Sequence, residues 1–279
     1  MNTDTSFETI PCPDLDASVD YYTKQLGYRL DMMVPADSPT AALVSKDGET
    51  VKLDLSPCFS RPNRDEGPTE VGTQNGWVTG RAGMGYRDLI PGRLDGEVIA
   101  SHIRLTKGGP VADYVHYHKV RFQMIYCLKG RIKVVYEDQG PPFWLETGDC
   151  VLQPPEIRHR VLECTTGAEV IEVGMPAVHE TWVEHEIKLP TSRIFADREF
   201  GGQRFVRHIE SEAEWKASEP DGVEERDTGI YVATGGFADV RVARTVSNGS
   251  EILQVSVPVQ SSSFRTSLKI DLLNTKDTK

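Results

Sequence analysis

Across residues 77–187, short apolar runs alternate with turn residues every 8–12 positions, at 98–105, 123–128, 132–136, 150–153 and 168–173. None of these runs keeps a helical period. A chain with this rhythm buries its apolar faces by stacking sheets, so residues 77–190 are expected to form an antiparallel sandwich or barrel. The fold class is therefore mainly β. A length of 279 residues allows one large or two medium domains with a sizeable core.

The flanks read differently. Residues 7–10 form a short strand, ended by Pro11 and Pro13. Asp14 or Asp16 then offers an N-cap for a helix with Val19, Tyr22 and Leu26 on its apolar stripe, closed by Gly27. Strands at 28–34, 41–45 and 50–55 complete a βαβββ order within residues 1–56. Residues 57–76, rich in Pro, Gly and charge, read as a linker. Beyond the central segment lie 191–244, with a helical turn at 211–217, and a Ser/Thr/Lys-rich divergent tail at 245–279. That tail keeps one apolar alternation, Leu253 to Val259.

The net charge of -11 argues against a nucleic-acid or anionic-membrane partner, which would need clustered Lys and Arg. A small molecule is the expected partner. Five cysteines, odd in number and without a CxxC, argue against a disulfide framework and for a reducing compartment. The amino terminus has no basic n-region or apolar h-region, and no run approaches 18 apolar residues. A cytoplasmic chain is expected.

His116-Tyr117-His118 is the chemical centre of the sequence. Histidines at i and i+2 on a strand point to the same side. His159, arriving from a later strand, can close a facial nitrogen site around a divalent metal, and imidazoles suit Fe, Mn, Ni, Cu or Zn. Ile125 and Cys127 share the face of Gln123 and would make an apolar floor. Met124, Tyr126 and Leu128 fall on the opposite face, which another sheet or a second subunit would cover. Arg121, Arg131, Arg158 and Arg160 lie close to the motifs, and one could clamp a substrate carboxylate. Tyr114 and Tyr117 read either as donors behind the histidines or as plain strand residues. Cys127 and Cys150 read as buried small hydrophobes, with Cys127 also a candidate lining residue. His102, His179, His185 and His208 read as surface or packing residues.

The spacing resembles the cupin family. Gly109 is followed after six residues by His116-Tyr117-His118, then four residues, Gln123, six residues and Gly130. Gly148 is followed by five residues, Pro154-Pro155-Glu156, two residues and His159. The departures are one extra residue before His116, Gln123 for the usual acid, Glu156 for a glycine, and Glu163 where asparagine is common. The resemblance implies a double-stranded β-helix (jelly-roll) barrel over 77–190. It also implies a metal held by His116, His118 and His159, with Fe(II) the first choice and Mn, Ni, Cu or Zn as alternatives. Gln123 would be a weak fourth ligand or an amide that orients water. As a neutral donor it leaves the site more positive than a His-His-His-Glu set, favouring an enolate or carboxylate. The implied chemistry is dioxygen insertion into an enol, thiol or aromatic diol, or else isomerisation or hydrolysis. The rival is a non-catalytic binding or sensor module. Residues 191–244 resemble the opening of a second, partial cupin repeat without a second HxH.

Residues 7–55 resemble one module of the glyoxalase/bleomycin-resistance/extradiol-dioxygenase superfamily, through Pro13-Asp14-Leu15, Ser18, Tyr21-Tyr22 and Leu26-Gly27-Tyr28. Phe7 stands where that superfamily often has a histidine ligand, and only Asp54 or Glu49 is near its glutamate position. The module is expected to be a structural or dimerising appendage, which leaves a homodimer open.

Overall fold

The computed structural model describes residues 7–56, 76–80, 83–90, 92–259 and 265–272. All but Gly76 of the expected linker, and the end of the tail, lie outside them. The fold is mainly β and jelly-roll-like, its two principal sheets not joined into one closed ring among the described residues. One sheet runs in the order Glu8–Cys12, Glu49–Leu55, Ala41–Lys46, Arg29–Val34, Thr181–Val183, His116–His118, His159–Cys164, Arg131–Tyr136 and Phe143–Glu146. The facing sheet runs Val206–His208, Cys150–Leu152, Phe122–Lys129, Ala168–Met175, Ile99–Leu105, Gly85–Asp88 and Val78–Thr79. Alternation along each strand drives the stacking: Ile132, Val134 and Tyr136 of one sheet meet Ile103, Cys127 and Val170 of the other in a shared core.

The N-terminal segment has the expected βαβββ order. Asp14 caps the Leu15–Asp20 helix, its side chain accepting from the Ala17 N–H at 2.9 Å. A wider helical turn, Tyr21–Gln25, continues it to Gly27, which takes a φ of 75° that few other residues adopt. Its sheet does not stop at residue 56. Arg29–Val34 pairs with Thr181–Val183, which pairs in turn with His116–His118. The segment is thus built into one wall of the jelly roll.

The second face of the facing sheet is covered by the chain itself. Met124, Tyr126, Leu128, Ile171 and Val173 pack against Val240, Val242, Leu253, Val255 and Val257 of a five-stranded antiparallel sheet. That sheet contains Asp239–Thr245, Glu251–Pro258 and Arg265–Asp271, so part of the segment expected to be a divergent tail is ordered strand. The physical reason is the alternation from Leu253, which buries every second residue on the jelly roll. The helical turn expected at 211–217 is one short turn, Glu210–Glu212, followed by the strand Lys216–Ser218. Cys12, Cys127, Cys150 and Cys164 are buried free thiols. No described helix is long and apolar enough to cross a membrane.

Candidate metal centre

His116 and His118 leave the same strand on the same side, and His159 lies directly opposite His116 in antiparallel register. The ring centroids are 5.1 Å apart for His116–His118, 4.2 Å for His116–His159 and 5.3 Å for His118–His159. One ring nitrogen from each lies within 4.8 Å of the others. All three residues are buried.

Their Nδ1 atoms are tied outward. His116 Nδ1 meets the Tyr114 carbonyl at 2.8 Å, His159 Nδ1 the Ile157 carbonyl at 2.9 Å, and His118 Nδ1 the Thr181 hydroxyl at 2.9 Å. A carbonyl can only accept, so Nδ1 of His116 and His159 donates and the lone pair sits on Nε2. A neutral imidazole oriented through its second nitrogen is the usual state of a metal-bound histidine. The donor set therefore fits a divalent transition metal.

Gln123 reaches the same cavity from the opposite sheet. The first strand ends at His118, residues 119–121 carry the chain across, and Phe122–Lys129 starts in the facing sheet. This crossing explains how Gln123 faces the histidines despite its offset from His118. Its amide is engaged: Gln123 Nε2 donates to Glu172 Oε1 at 2.5 Å. The carboxylate missing at position 123 is thus present on the neighbouring strand, where Ile125 pairs with Glu172. The expected excess of positive charge from a neutral Gln123 is offset by this residue.

The cavity has a volume of about 70 Å³ on the measure in which one water needs about 10–15 Å³, so it suits a small molecule. Its walls are largely apolar, with Ile99, Ile103, Ile132, Val134, Val161 and Val170 lining it. Tyr136 also lines it, its ring stacked on His159, and burial pushes its hydroxyl well above the ordinary tyrosine value.

The four candidate substrate residues are placed elsewhere. Arg121 is half exposed and bonds Glu97 at 3.3 Å, while Arg131 bonds Glu146 at 3.4 Å and lies over the Trp144 ring. Neither is among the cavity-lining residues, because both strand ends point to solvent. Tyr114 supports His116 through its carbonyl, but its side chain lines a separate groove beside the N-terminal helix. Cys127 is sealed in the core between the sheets, where burial pushes its thiol up to about 12.

Besides Glu172, the cavity takes in His179 and Asp37, which sequence reasoning did not place there. His179, read as a surface or packing residue, is 5% exposed and lines the cavity, with its ring 5.4 Å from that of His118. Gly174 lies beside it, where a Cβ would be crowded only by Ile99, at 3.3 Å. Asp37, from the turn after Arg29–Val34, lines it too. The one available signal was Glu172, a lone charge facing inward with Val170 in an apolar strand. His102 does behave as a packing residue, fully buried with Nε2 2.7 Å from Glu169.

Residues 101–174 match the family model described as a cupin domain. That segment holds His116, His118, Gln123, His159 and Glu172, but neither Asp37 nor His179. A search of curated proteins returns no match. Among solved structures, the chain is similar to an RmlC-like cupin from Shewanella frigidimarina, at 27% identity over 40% of this chain and 93% of that one, with a TM-score of 0.31. It is similar to a deletion mutant of Bacillus subtilis oxalate decarboxylase OxdC at 18% identity, over 62% of this chain and 53% of that one, with a TM-score of 0.38. It is also similar to protein Ylba from E. coli at 13% identity, over 80% of this chain and 69% of that one, with a TM-score of 0.36. The chain spans about half the length of the oxalate decarboxylase. The cupin resemblance of the histidine motifs holds over the matched segment, which carries a donor set fit for a metal ion.

Proposed function

We propose that this chain is a metal-dependent cupin enzyme of the dioxygenase type, acting on a small metabolite that binds through an enolate or similar oxygen. His116, His118 and His159 hold the metal through Nε2, with Fe(II) the first choice and Mn, Ni, Cu or Zn as alternatives. The observation that carries this reading is the convergence of three buried imidazoles, each tied through Nδ1. When bound, the metal supplies Lewis acidity toward a ligand oxygen and, as Fe(II), a site for dioxygen.

The chain's own residues do the rest. The apolar walls exclude water, which strengthens every polar contact inside. Gln123 donates to Glu172 and fixes the carboxylate facing the ligand space, where it can accept a proton from an enolisable carbon or hydroxyl. In this reading Gln123 orients a carboxylate, in addition to the roles of weak fourth ligand or water-orienting amide that the motif implies for it. The N-terminal segment, read as a glyoxalase-like module, serves as a wall of this cavity.

Oxygen-electrode assays of Fe(II)-loaded protein with a panel of small enols, thiols and diols test the reading. Substrate-dependent oxygen uptake that disappears in His118→Ala is the expected result; no uptake with any class would contradict a dioxygenase. The neutral amide of Gln123, standing where the cupin motif usually has an acid, favours a second reading as a non-catalytic binding or sensor module. That reading expects ligand binding without turnover.

A further inference from the structure

Two acceptor atoms on cavity-lining residues are buried without a hydrogen-bond partner: Asp37 Oδ1 and His179 Nε2. Both residues are at least nine-tenths buried, Asp37 at 9% and His179 at 5% exposure. Their orientation is fixed from behind. Asp37 Oδ2 accepts from Arg93 Nη2 at 2.6 Å, and Arg93 Nε is held by Asp88 at 2.8 Å. His179 Nδ1 donates to the Pro176 carbonyl at 2.9 Å, which leaves Nε2 as an acceptor. A buried acceptor left unmade is costly, so each calls for a donor in the working state.

The surroundings specify that donor. Glu172 adds a third acceptor to the cavity, and no Lys or Arg is among the described residues that line it. A ligand carboxylate would meet Asp37 and Glu172 with no side-chain cation to answer it. Hydroxyl groups, by contrast, supply the protons that both orphaned atoms lack.

We infer that the cavity selects a small hydroxylated ligand, a polyol or hydroxyketone rather than a carboxylic acid, with Asp37 Oδ1 and His179 Nε2 each accepting a hydrogen bond from one ligand hydroxyl. Asp37 lies four residues beyond Met33, which pairs with Thr181, which pairs with His118. The N-terminal segment therefore supplies one of the two selecting groups, and both stand outside the matched cupin segment. The inference rests on the cavity being the ligand site of the proposed metal centre and adds what that ligand must carry.

Dihydroxyacetone and pentan-3-one share one skeleton, with two methyl groups in place of the two hydroxyls. Their affinities are measured by calorimetry on the full chain, both Zn(II)-loaded and metal-stripped, with metal content determined on the same samples. Dihydroxyacetone is expected to bind about a hundredfold tighter, roughly tenfold per hydroxyl. Asp37→Ala and His179→Phe are each expected to cut that ratio about tenfold, while His179→Gln, whose amide oxygen can accept, retains most of it. Malonate is expected not to bind the metal-stripped protein.

Equal affinity for the two ketones in the unmodified chain overturns the inference, as does tight malonate binding to metal-stripped protein or a ratio that neither substitution changes. Melting curves establish that each variant folds; if Asp37→Ala or His179→Phe does not, the unmodified ratio and His179→Gln decide. Failure to hold zinc with the ratio intact in metal-stripped protein sinks the metal reading alone.

Discussion

Each imidazole of the cluster has a partner on Nδ1, and these partners decide whether three histidines make a ligand set or a repulsive crowd. Thr181 is the most testable, because its hydroxyl is a side-chain partner within hydrogen-bond distance of Nδ1. Thr181→Val is expected to weaken metal affinity about 10- to 100-fold, read by competition with a chelating dye; unchanged affinity would remove the orienting role. Gln123 gives a second test. Gln123→Glu places two carboxylates where an amide now donates to Glu172. In metal-free protein this is expected to cost about 1–3 kcal/mol at pH 7.5, read by urea unfolding. The loss should shrink at pH 5, where one carboxyl can take a proton; an unchanged midpoint would contradict the contact. The three histidines were legible because they sit in short motifs whose spacing is local. Asp37 and His179 were not, because each reaches the cavity through pairing or turns set by distant residues that nothing in the adjacent sequence reports; Glu172 left only the faint signal of an inward charge beside Val170.

At the scale of elements, the five-stranded sheet closes the back of the jelly roll, and its inward alternation is what keeps Met124, Tyr126 and Leu128 from water. Leu253 is fully buried there. Leu253→Ala is expected to destabilise the chain by about 2–5 kcal/mol, measured by urea unfolding; a change within a few tenths would mean the sheet is not docked as described. The strand rhythm at 77–187 made the stacked sheets legible, and the apolar face of Phe122–Lys129 announced that something covers it. What covers it was harder to read, since polar residues dominate the tail outside one alternation. Likewise, nothing near Arg29–Val34 signals a partner at Thr181–Val183, because such a pairing is selected by the completed sheet.

For the whole molecule, the pH dependence of stability follows from histidines that folding keeps neutral. Burial holds His102 below the ordinary histidine value, against the pull of Glu169 and with help from Arg87 and Arg104. Burial and Arg226 hold His208 below it too. The unfolded chain takes up these protons near pH 6.5, before the folded one does, so the unfolded state binds more protons in that window and stability rises with pH. Acidification from pH 7.5 is therefore expected to lower the melting temperature progressively once the pH drops below about 6.5. A rising melting temperature over that range would contradict the assignment. The same molecule-wide continuity joins the N-terminal strands, the histidine strand and the cavity in one sheet. This continuous framework is expected to hold a metal through His116, His118 and His159. Plasma mass spectrometry on purified protein beside the His116→Ala/His118→Ala variant tests it most directly. Near-stoichiometric Fe, Mn, Ni, Cu or Zn in the unmodified chain, lost from a variant that still folds, is the expected result. A metal-free chain that also fails to take up added Fe(II) or Zn(II), or a variant that keeps its full metal content, would contradict it.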